Sequence, residues 1–278
     1  MRPHISYSEW MCFRNVCQWR WKLDYLEGKR KLNYGIHLDF GTSIHAAIEK
    51  YKTRKDAVSL EEAIKIFEDT LKDLWNKNND KYEGRDREVK LDDFLSSGKV
   101  ILERFGECKE LADAEVLYNE HELIVPITRT DGVTINFKGY IDMVIKTKDK
   151  RGNTILYVCD FKSCSWGWPL EKKQDRDLQF QLFLYKHFLC KKFDLDPKLV
   201  RTAFVLLKKK PRKGDSPVEF LPVSAGPISV QRALDELGSD LTEIHVRIQD
   251  GKFVKNLNEC TNKYGQTCPY HNTPDCPK

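Results

Sequence analysis

The chain has 278 residues, enough for one large domain or two small ones, and its 40% apolar and 32% charged residues are ordinary for a soluble globular protein. Its 47 basic and 42 acidic residues leave a net charge of +5, a mild preference for a polyanionic partner. The N-terminus lacks the apolar core of a signal peptide, and no apolar run approaches the roughly 18 residues of a membrane span. We therefore expect a cytoplasmic protein that has no membrane partner.

The first predicted helix begins at Ser6 or Ser8, either of which can cap it, and runs to about Leu26, before Gly28. It mixes basic residues with aromatic ones, a combination that can bind phosphates and stack bases in single-stranded nucleic acid. The competing and more common explanation is that most of these aromatic residues form core. The aromatic residues are Trp10, Phe13, Trp19, Trp21 and Tyr25.

A second predicted helix follows Thr42, which looks like an N-cap. His45 and Glu49 lie one turn apart on the same face of this helix. A single helical histidine is more often structural than a metal ligand, so His45 alone decides nothing.

Two further helices are expected before the first strand. Ser59 and Glu62 have the spacing of a capping box, which predicts a helix through Trp75. Another helix is predicted from about Leu91 to Ala112. Because residues 42–113 carry no other chemical signature, we interpret them as a helical segment that packs beside the core.

The segment from residue 137 to residue 162 reads as a β-hairpin, because two runs of β-branched and aromatic residues flank a polar, Gly-containing turn. A turn centred near Arg151 sets Asp142 directly opposite Asp160. Like charges that face each other across strands are destabilising, so the pair is best explained by a cation held between the carboxylates. Lys162 points to the same face as Asp160 and is available for a substrate oxygen. Solvated charges on a hairpin surface are the simpler alternative.

Neighbouring segments supply further candidates. Glu120 and Glu122, in the preceding strand, are additional candidate carboxylates. After the hairpin, a loop holds Trp166 and Trp168, which look exposed. Next, an apolar helix begins after Asp177 and presents two polar side chains one turn apart, Gln181 and Tyr185.

The last part of the predicted core is a strand that ends in a basic run. In this run we take Lys208 and Lys210, together with the two loop tryptophans, as candidate DNA contacts along a phosphate path. An apolar stripe from Val230 to Ile248 predicts a final helix. Alternation of strands and helices around a central hairpin predicts a mixed α/β domain flanked by helices.

Nine cysteines in a reducing compartment do not indicate a disulfide framework. Cys260, Cys268 and Cys276 are evenly spaced in a tail with too few apolar residues to form its own core. Three such thiols indicate a bound metal centre, whose fourth ligand comes from elsewhere in the chain.

Four short motifs occur in a characteristic order: G-T-x-x-H at 41–45, G-x-x-D at 139–142, D-F-K at 160–162 and Q-x-x-x-Y at 181–185. Together with a cysteine-bearing first helix and a cysteine-rich tail, this order resembles the PD-(D/E)XK nuclease superfamily. The likeness is to the RecB-type branch and its iron–sulfur members, the AddB-like and CRISPR-associated nucleases. It extends over about residues 5–276.

The resemblance implies a restriction-endonuclease-like core, a central mixed β-sheet flanked by helices, with a helical insertion and a cysteine-stapled N/C-terminal region. It implies one nuclease domain over residues 1–278, with its catalytic α/β core at 116–207 and a metal- or cluster-binding region formed by 1–30 plus 255–278. It also implies metal ligands and catalytic residues. The Mg²⁺ or Mn²⁺ ligands would be His45, Asp142, Asp160 and the Phe161 carbonyl, and the catalytic residues would be Asp142, Asp160, Lys162, Gln181 and Tyr185.

For the tail, the resemblance implies a [4Fe–4S] cluster bound by Cys17, Cys260, Cys268 and Cys276. The tail spacing is wider than is usual in the CRISPR-associated members. A structural Zn²⁺ bound by the four cysteines, or by three of them and His271, is the alternative.

The implied function is a metal-dependent DNA nuclease of the exonuclease or end-processing type, which prefers single-stranded ends and acts in recombination, repair or replication. A helicase or a recombination or replication protein is an expected partner. Two alternatives stay open: a DNA-end-binding subunit with a nuclease fold inside a larger complex, and a nuclease of the CRISPR-adaptation type.

Overall fold

The computed structural model describes residues 4–53, 56–262 and 265–277. One six-stranded mixed β-sheet forms its centre, in the order β1-β3-β4-β5-β6, and β2 pairs with β3 along nearly its whole length, from Thr134 to Lys146. The pairs β1–β3 and β4–β5 are parallel and the others are antiparallel. The strands are β1 (His4–Ile5), β2 (Glu115–Thr128), β3 (Thr134–Lys148), β4 (Thr154–Cys164), β5 (Val200–Lys208) and β6 (Val218–Val223).

Helices cover both faces of this sheet, so the predicted mixed α/β fold flanked by helices is confirmed. The helices are α1 (Tyr7–Met11), α2 (Gln18–Trp21), α3 (Ile36–Tyr51), α4 (Leu60–Asn78), α5 (Leu91–Glu103), α6 (Lys109–Ala112), α7 (Leu170–Lys173), α8 (Arg176–Phe193) and α9 (Pro227–Asp250). None of the helices in these described ranges is long and apolar enough to cross a lipid bilayer.

Two hydrophobic clusters hold the layers together. One joins α1, α8 and α9 to one face of the sheet, and its largest fully buried side chain is Trp10. The other joins α3, α4 and α5 to the opposite face, where Phe40 and Phe67 pack edge to face. The side chains of β3 change faces within the strand: Ile141 belongs to the first cluster and Met143 to the second. The residue between them is Asp142.

The first helical region is not one regular helix as predicted. Helices α1 and α2 each continue into a π-helical turn, Cys12–Val16 and Lys22–Leu26. Between them Cys17 has an extended backbone, with φ −167° and ψ 121°. The expected core role of the aromatic residues is confirmed for Trp10, Phe13 and Trp21, which are buried.

The start of the second helix was predicted wrongly. Helix α3 begins at Ile36, one turn and a half before Thr42, and Gly35 is its N-cap. The Thr42 hydroxyl donates a hydrogen bond to the Leu38 carbonyl at 3.2 Å, as a threonine inside a helix does. A local capping pattern cannot reveal that apolar residues upstream extend a helix through their packing.

The capping box of α4 is confirmed, since the Ser59 hydroxyl accepts from the Glu62 N–H and the Glu62 carboxylate accepts from the Ser59 N–H. The helix predicted from Leu91 to Ala112 is broken, because a 3₁₀ turn at Phe105–Glu107 separates α5 from α6. Strands β1 and β6 were not predicted. Both lie at the edges of the sheet, and β1 has only two residues.

Candidate metal centre and active site

The predicted hairpin is formed by β3 and β4, and its expected register is confirmed. Met143 pairs with Cys159 and Ile145 with Tyr157, so one further step in the same register sets Asp142 opposite Asp160. The backbone ladder ends here. The Phe161 N–H donates instead to the Asp142 carboxylate, at 2.6 Å to Oδ2.

Glu120 enters the site from β2, where it lies between Asn119, paired with Met143, and His121, paired with Ile141. It therefore faces Asp142. Its φ of 44° is in the left-handed region, which costs a non-glycine residue roughly 1–3 kcal/mol and is concentrated at functional sites. This backbone conformation turns the Glu120 side chain towards the carboxylates of the hairpin.

Helix α3 brings His45 over the end of the hairpin. Its imidazole packs edge to face on Phe161, with ring centroids 5.6 Å apart, and its Nδ1 lies 3.8 Å from Asp142 Oδ1. The far end of α3 is fixed to β2 because the Asn119 amide donates to the backbone carbonyls of Glu49 and Lys52. One ligand atom each from His45, Glu120 and Asp142 lie within 4.8 Å of one another, close enough for one metal ion.

Asp160, Lys162, Gln181 and Tyr185 form a continuous polar chain beside these three residues. The Lys162 ammonium lies 2.7 Å from Asp160 Oδ2 and donates to Gln181 Oε1 at 3.0 Å. The Gln181 amide donates in turn to the Tyr185 hydroxyl at 3.3 Å. Asp160 is 2% exposed and Lys162 is 30% exposed, so the lysine is the member that reaches solvent.

The ionisation of the site is set by burial and by like charge. Burial raises the pKa of Asp142 well above its usual range, and the Asp160 carboxylate adds to the effect. The pKa of Glu120 is raised for the same reason, by burial and by its carboxylate neighbours Glu49 and Asp160. Such shifts mean that the folded protein disfavours these negative charges, and a cation bound among them would reverse that preference.

The basic groups of the site have fixed protonation states. Burial lowers the pKa of His45, so its imidazole is neutral at pH 7 and offers a nitrogen lone pair. Burial also lowers the pKa of Lys162, but Asp160 and Asp142 outweigh it and the net shift is upward. Lys162 is therefore a permanent cation and not a base. Burial raises the pKa of Tyr185, which keeps its hydroxyl protonated.

The donor set fits a divalent cation. One neutral imidazole and two or three carboxylates are the ligand types that Mn²⁺ accepts, and the oxygen donors also suit Mg²⁺. From the sequence, Glu120 was only an additional candidate carboxylate. The structure places it near His45 and Asp142, which the alternating pattern of a strand could not predict. Glu122 points away from the site, where it pairs with Lys138 at 2.8 Å and Tyr140 at 2.6 Å.

Tyr7 is a neighbour of the site that sequence reasoning missed. Its hydroxyl donates to the Asp177 carbonyl at 2.7 Å, and burial followed by the Asp160 charge raises its pKa. Nothing in the amphipathic pattern of the first helix separates Tyr7 from an ordinary core residue.

The candidate DNA contacts divide into two groups. Trp166 is 64% exposed and Lys210 is exposed, so both are available to a ligand. The expected exposure of Trp168 was wrong, because its ring is buried against Phe204 at 5.0 Å. Lys208 was also expected to be exposed, but it is only 5% exposed and its ammonium pairs with Glu219 at 3.3 Å. Inward packing at the end of β5 removes both residues from the surface.

The four cysteines implied as ligands come together where the first helices meet the tail. Cys17, Cys260, Cys268 and Cys276 all line one cavity of ≈ 20 Å³, which His271 also borders. Burial raises the pKa of the Cys260 thiol, and the other three cysteines, which are near enough to act on its charge, add to this shift. The Asn256 N–H donates to the Cys17 sulfur at 3.4 Å.

The spacing of these sulfurs bears on what they could bind. Within the described residues, no three cysteine sulfurs lie within 4.8 Å of one another. A tetrahedral zinc site with Zn–S bonds of about 2.3 Å needs its sulfurs roughly 3.8 Å apart. The thiols would therefore have to move closer together to bind one zinc ion.

The tail reaches the first helices through contacts that need no metal. The Tyr270 hydroxyl, fully buried, donates to the Asp24 carboxylate and lies 2.7 Å from the Lys29 carbonyl. The Trp19 indole donates to the Asp275 carbonyl at 2.9 Å. These contacts hold the cysteines of the tail beside Cys17.

Comparison with known proteins identifies a family and a similar fold. The family model of the PD-(D/E)XK nuclease superfamily matches residues 4–273. A crystal structure from Eubacterium rectale, of a protein presumed to be an exonuclease, superposes with a TM-score of 0.58 at 11% identity and covers 91% of this chain and 84% of that one. At that identity the likeness shows the fold alone. No curated protein matches the sequence significantly.

Substitution of Asp142 by Asn should stabilise the metal-free protein. Burial and the Asp160 charge raise the pKa of Asp142, so an uncharged amide relieves an unfavourable charge, and its oxygen can still accept from the Phe161 N–H. We expect a rise of a few degrees in melting temperature in EDTA and a loss of the stabilisation by Mn²⁺ seen in the unsubstituted protein. A variant that is less stable in EDTA would contradict the proposed repulsion.

Gly139→Ala should disturb the site through Tyr185. A Cβ at this position would lie 2.6 Å from Tyr185 Cε1, and the buried ring has little room to move. Overpacking of this kind costs roughly 1–3 kcal/mol, so both melting temperature and activity should fall. Gly106→Ala is the matched control, since a Cβ there meets nothing within 4 Å. Equal behaviour of the two variants would show that Tyr185 can move without consequence.

Proposed function

The chain belongs to the PD-(D/E)XK nuclease superfamily, and on that premise we propose that it is a divalent-metal-dependent deoxyribonuclease of the RecB type that processes single-stranded DNA ends. The observation that carries the proposal is the convergence of His45, Glu120 and Asp142 beside the Asp160–Lys162 pair. This site combines a neutral imidazole, several carboxylates and one ammonium group. Such a combination is best explained if a cation and an anionic substrate bind there together.

Different residues of the site are proposed to have different roles in phosphodiester hydrolysis. His45, Glu120, Asp142 and Asp160, with the Phe161 carbonyl, are the proposed ligands of Mn²⁺ or Mg²⁺. When bound, the ion would supply an activated water at neutral pH and neutralise phosphate charge. Presence of an imidazole makes Mn²⁺ the better fit of the two ions.

Lys162 is proposed to stabilise the negative charge that develops on the phosphate. Its upward-shifted pKa excludes a role as base, and its partial exposure lets it reach a substrate oxygen. The Gln181 amide holds the lysine from one side, and Gln181 and Tyr185 are proposed to orient the substrate or the attacking water.

The preference for single strands rests on Trp166 and Lys210. An exposed indole beside an exposed ammonium can stack a base and bind a phosphate without reading sequence. The aromatic residues of the first helices do not contribute to this argument, since most of them are core. We propose an end-processing role in recombination, repair or replication on the same grounds, with a helicase or a recombination or replication protein as partner.

The cysteine cavity is proposed to hold a [4Fe–4S] cluster. Four thiols from both ends of the chain surround it, and one of them receives a backbone N–H. The cluster is proposed to be structural, since it lies in the region that joins the tail to the first helices.

Cleavage of end-labelled DNA tests the nuclease proposal. Asp160→Asn and Lys162→Met should each lower the rate of Mn²⁺-dependent cleavage by a factor on the order of 10²–10³, the usual cost of losing one electrostatic contact to the transition state. Single- and double-stranded substrates labelled at either end give strand preference and polarity in the same assay.

Lys150→Met is the matched control, because it removes the same charge from the exposed β3–β4 turn. Thermal melting of each variant separates lost chemistry from lost folding. Unchanged cleavage by a folded Asp160→Asn variant would contradict the proposal. Binding to DNA ends without any metal-dependent cleavage by the unsubstituted protein would favour an end-binding subunit.

Iron analysis tests the cluster. Anaerobically purified protein should be brown, absorb broadly near 400 nm and contain about four Fe per chain. Cys276→Ser should reduce the iron content, whereas Cys190→Ser, at a buried cysteine in α8, should not. Colourless protein with one zinc per chain would contradict the cluster and leave the nuclease proposal intact.

A further inference from the structure

Lys209 follows the last residue of β5, and within the described ranges no carboxylate pairs with its ammonium. Its N–H donates to the Cys164 carbonyl at 2.9 Å, which fixes the backbone beside the end of β4. Its Nζ lies over the Phe40 ring, 5.1 Å from the centroid. In the part of the chain that the structure describes, no acidic oxygen lies within ion-pair distance of this Nζ, although Lys208, Lys162 and Lys173 each have such a partner.

The surroundings make a lysine without a partner costly. Burial lowers the pKa of Lys209 to about 8, because the charged ammonium loses part of its hydration in the folded protein. The contact with Phe40 returns about 0.5–1 kcal/mol, the usual value of a cation–π pair. A methionine would pack against the same ring without any charge. Among the residues that the structure describes, the Lys209 ammonium thus contacts the Phe40 ring and has no counter-ion, which an anion from outside the chain would supply.

The charged groups around Lys209 are predominantly basic. His37, one turn before Phe40 on α3, has its pKa lowered by burial and then by the positive charges of Lys209 and Lys210. The acidic group on this side is Asp86. It is 5% exposed, accepts from the Gln266 amide at 3.0 Å and lies 3.8 Å from His37 Nε2. Asp86 is thus engaged by Gln266 and faces His37. The positive charges that the described residues offer on this side are therefore the ammonium groups of Lys209 and Lys210, and His37, whose pKa is lowered, adds a ring N–H.

The same two elements carry this basic group and the metal centre. Helix α3 bears His45 and, about two turns earlier, His37, which at 1.5 Å per residue is a span of about 12 Å; Phe40 lies between them. Strand β4 bears Asp160 and Lys162, and two residues later the Cys164 carbonyl that binds Lys209. Between the two sites α3 packs close to β4, since a Cβ at Gly41 would lie 3.9 Å from Ser163 Oγ.

We propose that Lys209, assisted by His37 and Lys210, is a binding site for a backbone phosphate of the substrate strand, a few nucleotides from the bond that is cut. Trp166 lies next to this site, since the Lys210 N–H donates to the Ser165 carbonyl at 2.7 Å, and it is placed to stack on the neighbouring base. The inference rests on the proposed nuclease function and adds a positioning residue to it. Lys209 touches no reacting atom, so it acts on binding and not on the chemical step.

Kinetics and salt-dependent binding test the site. Lys209→Met should raise KM about 10-fold and leave kcat within about 2-fold, because a distant phosphate contact contributes equally to the ground state and the transition state. Lys209→Arg should restore most of the affinity. Lys150→Met is the control for the loss of one positive charge, at the opposite end of the hairpin.

Affinity is measured with a labelled single-stranded oligonucleotide over a range of salt concentrations, in an Asp160→Asn background so that the probe is not cut. Removing one phosphate contact should reduce the slope of log K against log [salt] by about 0.7. A structural role for Lys209 would lower the melting temperature and kcat without changing this slope, and that result would overturn the inference.

The outcomes also separate this inference from the proposed function. If the unsubstituted protein binds and cleaves DNA while Lys209→Met behaves like Lys150→Met, the phosphate site is wrong and the nuclease stands. If the unsubstituted protein neither binds nor cleaves DNA, the nuclease proposal fails and the phosphate site fails with it.

Discussion

The architecture of the candidate site depends on one unfavourable interaction. The β-sheet holds several carboxylates close together and does not allow them to separate. The register of β3 and β4 sets Asp142 against Asp160, and the left-handed backbone of Glu120 adds a third negative group from β2. A sheet register cannot slip by one residue without moving every apolar side chain to the wrong face. The hydrophobic clusters on both faces of the sheet therefore keep the carboxylates close together despite their repulsion. This repulsion lowers the stability of the metal-free protein, and a bound cation would relieve it.

Lys162 and His45 make different contributions to the charge of the site. The lysine comes from the same strand as Asp160 and offsets part of its charge permanently. The histidine comes from a helix on one face of the sheet and, being neutral, offsets none. The site thus has more carboxylates than positive groups, which together with burial raises the pKa values of Asp142 and Glu120. An ion pair alone would have satisfied Asp160, but it leaves Asp142 and Glu120 without compensation.

The sequence predicted those parts of the molecule that follow from local rules. The hairpin register follows from its turn, and the capping box of α4 follows from two residues three apart. Helix α3 was placed too late because its first turn is stabilised by packing of Ile36 and Phe40, which no cap signals. Burial of Trp168 and Lys208 was missed because exposure at the end of a strand depends on which layer lies beyond it. Glu120 was recognised only as one of two candidates, since a positive φ in a strand residue leaves no mark in an alternating pattern.

Contacts between the tail and the first helices join residues far apart in the sequence: Tyr270 and Asp24 are 246 positions apart. The four cysteines are therefore brought together by the tertiary structure and not by proximity in the sequence. A change at Tyr270 or Asp24 would consequently disturb the cysteine cavity without altering any of its four thiols.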